Sequence, residues 1–251
     1  MLRLYSAGNT IPHPRKAWRG GEDSFIVSSP TNSTLAVADG VGAWEDKGVN
    51  PRAFADQILR CTYEFLKAGD KNPMFSLEAG FHNTNMVGSS TVCIGKMTGD
   101  GIFRVANIGD SGFLIIRDEK ILLESTDHQH EFNYPYQIGR DEEGEPHGTD
   151  RPADAQYYQI TLEEGDVVVM GSDGLFDNVW PKEILKTINN HPLNAIDLAE
   201  RLSILAYDKS QDRDSSVPFF HRAKISNVEF SSYQGGKEDD ITVLVGIVGN
   251  D

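Results

Sequence analysis

The chain has 251 residues, 39% hydrophobic and 24% charged, which excludes wholesale disorder and allows one large domain spanning 1–251 with a substantial core. Its formal net charge of −15 excludes nucleic acid and an anionic membrane surface as main partners, since both require basic patches. Two cysteines, Cys61 and Cys93, without CxxC spacing exclude a disulfide framework and suit a reducing compartment, and no apolar run reaches the roughly 18 residues of a membrane span.

No secretory apolar region follows Met1. From 24 to 39, SFIVSS and TLAVAD flank the polar turn PTNS and predict a β-hairpin. Asn50 as N-cap and Pro51 at the first helical position open a helix to about Ala68, with Phe54, Ile58, Cys61 and Phe65 as its apolar face. STVCIGKM and IFRVANIGD, joined by TGDG, form a second hairpin that GFLIIRD and KILLES extend. Residues 127–156 lack periodicity and read as a long surface loop. ITLEEGDVVVMG gives two more strands. Helical patterns follow over 181–190 and, behind the N-cap Asn194, over 195–207, where Ile196, Leu198, Ala199, Leu202 and Leu205 form the apolar face. DITVLVGIV is a buried last strand. With connections this short the sheets are antiparallel, and the order of elements predicts an α+β layered domain with helices packed outside the sheets.

Acids border the strand-like runs at GED (21–23), at Asp39 after LAVA, at IGD (108–110), at GSDG (171–174) and at KEDD (237–240). Each alone reads as a turn acid, because Asp-Gly is a favoured turn dipeptide. In a layered sheet fold they can instead converge at one end of the sheets, where carboxylate oxygens without histidine or thiol neighbours suit Mg²⁺ or Mn²⁺ rather than zinc.

VADGVGAW (37–44), GSST (88–91), ANIGDSGF (106–113), GSDGLFDNV (171–179) and GGKEDDITV (235–243) resemble, in this order, the motif series of type 2C metal-dependent protein serine/threonine phosphatases. TDHQHEFNYPYQIG (126–139), SVPFFHRA (216–223) and IPHP (11–14) are similar to the mitochondrial branch of that family. The resemblance implies two packed antiparallel β-sheets flanked by α-helices on both outer faces. It implies phosphoserine and phosphothreonine hydrolysis by a water bridging two Mn²⁺ or Mg²⁺ ions, with no phosphoenzyme. It further implies phosphoprotein substrates and the mitochondrial matrix, with any presequence lying outside this chain; a monomer is expected, and the short apolar runs predict no membrane insertion.

Position by position, the resemblance makes Asp39 the carboxylate bridging both ions and Gly40 the residue whose carbonyl completes one shell. Glu22 matches the acid serving the second ion, and Asp23 a residue that orients water. Asp173 and Asp239 match ligands of the first ion, and Asp110 an acid that helps hold a weaker third. Asp240 stands where many members carry asparagine and receives no ligand role. Ser90 and Thr91 are expected to satisfy strand-end backbone groups, and Asp127 with His128 to be structural.

Two positions depart from the pattern. Many members place a histidine, a candidate general acid, directly after the Asp-Gly; here it is Val41. The phosphate-binding arginine expected before the Glu-Asp pair is also displaced, since Trp18 stands four residues before Glu22, leaving Arg15, Lys16 and Arg19 as candidates collectively. The alternative function is an inactive module of the same fold that binds phosphoproteins. A nucleotide binder is disfavoured because neither glycine loop opens a βαβ unit.

Overall fold

The computed structural model describes residues 1–68, 72–226 and 234–251. Fourteen strands are named in chain order: β1 (Leu2–Ile11), β2 (Asp23–Val27), β3 (Thr34–Asp39), β4 (Gly88–Ser90), β5 (Val92–Met97), β6 (Ile102–Ile108), β7 (Gly112–Arg117), β8 (Lys120–Glu124), β9 (Gln129–Glu131), β10 (Tyr134–Pro135), β11 (Ile138–Arg140), β12 (Gln156–Thr161), β13 (Val167–Gly171) and β14 (Ile241–Asn250). The α-helices are α1 (Pro51–Ala68), α2 (Pro73–His82), α3 (Asp173–Phe176), α4 (Pro181–Asn189), α5 (Ala195–Gln211) and α6 (Pro218–Ile225). One five-stranded sheet runs β1-β14-β13-β7-β8 and the other β12-β6-β5-β3-β2. Every pairing within them is antiparallel.

Period-two alternation assigns each strand's side chains to two cores. On β3, Leu35 and Val37 pack between the sheets, where they meet Phe103, Phe113, Met170 and Leu244. Ala36 and Ala38 face Phe54, Ile58 and Leu59 of α1 and Leu77 and Phe81 of α2. On β13, Val168 and Met170 enter the same inter-sheet layer while Val167 and Val169 face α4 and α5. The result is the expected αββα sandwich. Because both faces of the inner strands are covered, they read as continuous apolar runs although the sheets are antiparallel.

The predicted hairpin of β2 and β3 is present, with Val27 opposite Leu35. Asn50 caps α1 through a bond from Arg52 N to Oδ1 at 3.2 Å, and Asn194 caps α5 through bonds from Ile196 N and Asp197 N. Two helical faces are corrected. On α1 the buried side is Phe54, Ala55, Ile58, Leu59, Thr62 and Leu66, leaving Phe65 37% exposed and Cys61 half-buried. On α5, Ile196 is 71% exposed because it lies on the outward stripe of the helix with Glu200 and Ile204, while Ala195 and Leu198 face the core. The segment 127–156 is not one long loop: β9 pairs with β10, and β11 pairs with β4, which carries Ile138 into the core. The sequence reading lacked β1, α2 and α6. α2 packs so closely on α1 that a Cβ at Gly80 would lie 2.3 Å from Thr62 Oγ1.

Candidate active site

Four strand ends build the site. β3 delivers Asp39, directly opposite Asp23 on β2; the β6–β7 turn delivers Asp110, β13 runs into Asp173 at the start of α3, and Asp239 and Asp240 precede β14. A pocket of about 260 Å³ is lined by Glu22, Asp39, Gly40, Asp110, Asp173 and Asp239, together with Lys16, Val41, Asn133 and Lys237. The dispersed acids therefore do meet. Asp23 is the predicted site residue that does not line the pocket.

Asp23 lies behind it, 3% exposed, where its Oδ2 accepts bonds from Ser172 Oγ and Thr242 Oγ1, both at 2.7 Å, and its buried Oδ1 has no partner. Burial, and then the negative charge of Asp240, push its pKa up to about 8. Asp110 rises to about 8 through burial and the charges of Asp173 and Asp177. Asp39 is raised well above the usual carboxylate range by burial and by Asp23, Asp173, Asp239 and Asp110. Burial is the larger cause of each shift, and the like charges brought together at the sheet end add to it.

The backbone around Asp39 is pinned as expected from GSST. Ser90 Oγ donates to the Asp39 carbonyl at 2.8 Å, and Asp39 N donates to Thr91 Oγ1 at 3.3 Å. Gly40 is required by a close approach, since a Cβ there would lie 2.7 Å from the Pro51 backbone. Asp240 serves as a bolt: Oδ1 accepts from His13 N at 2.7 Å and Oδ2 from Glu22 N at 2.9 Å, tying the segment that follows β1 to the start of β14. Glu22, 2% exposed, has a carboxyl pKa raised by burial against the opposing pull of its partners Lys16 and Arg19. Of the three basic candidates, Lys16 lines the pocket, Arg19 bridges Glu22 and Glu45, and Arg15 is exposed.

None of the lining residues is a histidine. His128 and His130 instead sandwich the Tyr136 ring at centroid distances of 3.7 and 3.8 Å, and Asp127 pairs with Arg222 at 3.5 Å. Gln129 ties the neighbouring hairpin to the site by donating to Asp110 Oδ2 at 3.0 Å, while its Oε1 accepts from Asn133 N at 3.1 Å.

Two residues escaped the sequence reading. The Lys237 ammonium pairs with Asp173, with Asp177 at 2.6 Å and with Asp239 at 3.1 Å. Burial opposes its charge, but these carboxylates hold its pKa well above the ordinary lysine value. Asp177, 4% exposed, also receives Arg222. Its four-residue step from Asp173 places both on one helical face, a signal available in GSDGLFDNV. With the acids held this way, no group of three or more His, Cys, Asp or Glu among the described residues is arranged to hold a metal ion. The donor chemistry does fit a hard divalent ion, for every acidic group lining the pocket is a carboxylate and the buried Asp173 Oδ1 is unpartnered.

Residues 29–246 match the family model described as Stage II sporulation protein E (SpoIIE). Probable protein phosphatase 2C 1 of Oryza sativa subsp. japonica is 36% identical over 245 residues, covering 94% of this chain and 72% of its own length. Protein phosphatase PTC7 homolog fig of Drosophila grimshawi is 37% identical over 247 residues, covering 92% of this chain and 80% of its own. The X-ray structure of the photosystem II phosphatase PBCP superposes with a TM-score of 0.90 at 34% identity, over 98% of this chain and 99% of that one.

Proposed function

The chain belongs to the protein phosphatase 2C family of serine/threonine protein phosphatases, and on that footing we propose that it hydrolyses phosphoserine and phosphothreonine in protein substrates at a two-ion Mn²⁺ or Mg²⁺ site in the carboxylate pocket. The observation that carries this reading is the convergence of Glu22, Asp39, Asp110, Asp173 and Asp239 on one 260 Å³ pocket. Asp39 would serve both ions, Asp173 and Asp239 the first, Glu22 and the Gly40 carbonyl complete the shells, and Asp110 with Asp173 would serve a weaker third. Divalent ions held there supply a water nucleophile at neutral pH and screen the charge of an incoming phosphate.

The chain's own residues do the remaining work. Lys16 at the pocket rim is the cation best located to meet phosphate oxygens, as a point charge rather than a bidentate fork. Asp23 supports the site from behind through Ser172 and Thr242. Val41 offers no proton to the leaving alkoxide, so protonation falls to a metal-bound water or another group, or the leaving group departs less assisted. Segment 127–156 supplies Asn133 and Pro135 to the pocket wall and, with residues 208–236, is the proposed substrate-recognition surface; of the latter, 227–233 lie outside the described residues.

Residues 1–251 are proposed as one catalytic domain, supported by the inter-sheet core that both sheets share. No helix among the described residues is long and apolar enough to cross a membrane. The proposed matrix location rests on the resemblance of 126–139, 216–223 and 11–14 to the mitochondrial branch, and imaging of a tagged full-length protein elsewhere would overturn it. A monomer is expected by light scattering. The direct test is phosphate release from a phosphothreonine peptide by chelated protein given Mn²⁺, with Asp39→Asn in parallel. Metal-dependent turnover lost in the variant supports the reading, whereas turnover retained by the variant, or silence from folded wild type across several peptides, overturns it.

A further inference from the structure

The mechanism above leaves Lys237 unused, although its ammonium pairs with two of the proposed ligands, Asp173 and Asp239. Its place is built into the fold. Asn178 Oδ1 accepts from Lys237 N at 2.9 Å and Asn178 Nδ2 donates to the Lys237 carbonyl at 2.9 Å, clamping the backbone on both sides. The preceding Gly236 is packed so tightly that a Cβ there would lie 1.9 Å from the Lys209 carbonyl. The side chain, 18% exposed, runs beneath the Phe219 ring with Nζ 4.9 Å from its centroid, and ends among Asp173, Asp177 and Asp239.

Two of those three carboxylates are the ones assigned above to the first divalent ion. The third, Asp177, does not line the pocket, lies one helical turn beyond Asp173 and is shared with Arg222. We propose that Lys237 is a resident counter-cation that neutralises Asp173 and Asp239 in the metal-free chain, competes with a divalent ion for them, and keeps Asp177 as its partner when the ion binds. This inference rests on the two-ion reading of the pocket. It gives a role to Asp177, an acid that lies outside the pocket and offers one carboxylate oxygen to Arg222 and the other to Lys237.

The experiment is calorimetric titration of Mn²⁺ into exhaustively chelated wild type, Lys237→Met and Lys237→Arg, with thermal melts of each. Removing a facing unit charge should tighten Mn²⁺ binding in Lys237→Met by about tenfold or more. The same variant should melt lower than wild type without metal and gain more from added Mn²⁺, while Lys237→Arg stays near wild type in affinity. An unchanged or weaker Mn²⁺ affinity in folded Lys237→Met overturns the proposal. If metal-free Lys237→Met does not fold, Asp177→Asn decides the matter. Deprived of its retreat, Lys237 should then hold Asp173 and Asp239 harder and weaken Mn²⁺ binding, and no weakening overturns the proposal. Failure of the underlying two-ion reading is separable, since wild type would then show neither Mn²⁺ binding heat nor a Mn²⁺-dependent melting shift.

Discussion

Along β3 the chain passes in one residue from the driest part of the molecule to its most charged. Leu35, Ala36, Val37 and Ala38 are fully buried among apolar neighbours on both faces, while the next side chain, Asp39, faces four other carboxylates. In the inter-sheet layer each contact supports its neighbours, so the geometry is set by volume and shape. At the strand ends the acids oppose one another, and their positions are set by what restrains them: the Asp240 bolt, the Ser90 and Thr91 bonds, and the ammonium groups of Lys16 and Lys237. The same strands thus carry a region that stabilises the fold and a region where like charges oppose it, and the proposed function belongs to the second.

That contrast can be broken from either side. The largest effect is expected from Asp39→Asn, Asp173→Asn or Asp239→Asn, each of which should abolish phosphate release while leaving the metal-free melting temperature equal or higher, since a repelling charge is removed. Phe113→Ala, between the sheets, should do the opposite, costing about 3–5 kcal/mol in denaturant unfolding while whatever remains folded retains activity. Wild-type turnover in all three acid variants would sink the site assignment.

A second, smaller effect is read from pH. Asp23 has a folded pKa of about 8 against an ordinary 3.8, so the folded chain binds more protons than the unfolded one between those values. Its contribution is fully present below about pH 4, falls as pH rises, and is lost above about 8. The melting temperature of chelated wild type should therefore decline from pH 5 to pH 8 more steeply than that of Asp23→Asn, and equal slopes would refute the buried-acid account. The smallest effect is expected at Gln129, which positions Asp110 without lining the pocket. Gln129→Ala should lower activity by about tenfold and leave the melt within error, whereas complete loss of activity would give Gln129 a direct role.

The sandwich was legible wherever apolar residues run without interruption, as in LAVA and VVVMG, because strands covered on both faces leave that imprint. β1 was not, since LRLYSAGNTI mixes polar and apolar residues on a strand that is half-buried for much of its length. α2 carried the same signal as α1, an asparagine cap with proline at the first position, but Gly80 interrupts its pattern for a packing reason visible only in three dimensions. For the site, the acids could be named, yet their convergence came from motif resemblance rather than spacing. Lys237 was illegible because a lysine beside acids reads as a solvated surface group; only the fold brings Asp173 and Asp177 to it from 60 or more residues away.

The pairing of β1 with β14 runs from Leu2 opposite Asn250 to Ile11 opposite Ile241, and β14 also pairs with β13. During synthesis, therefore, neither the His13–Asp240 bolt nor the Asp239 corner of the pocket can form until the chain has been made through Asp240 at the start of β14, 227 residues after His13. Until then β1 and β13 stay unjoined and the proposed site is incomplete. Completion of the proposed site thus waits on β14, the strand that pairs with both.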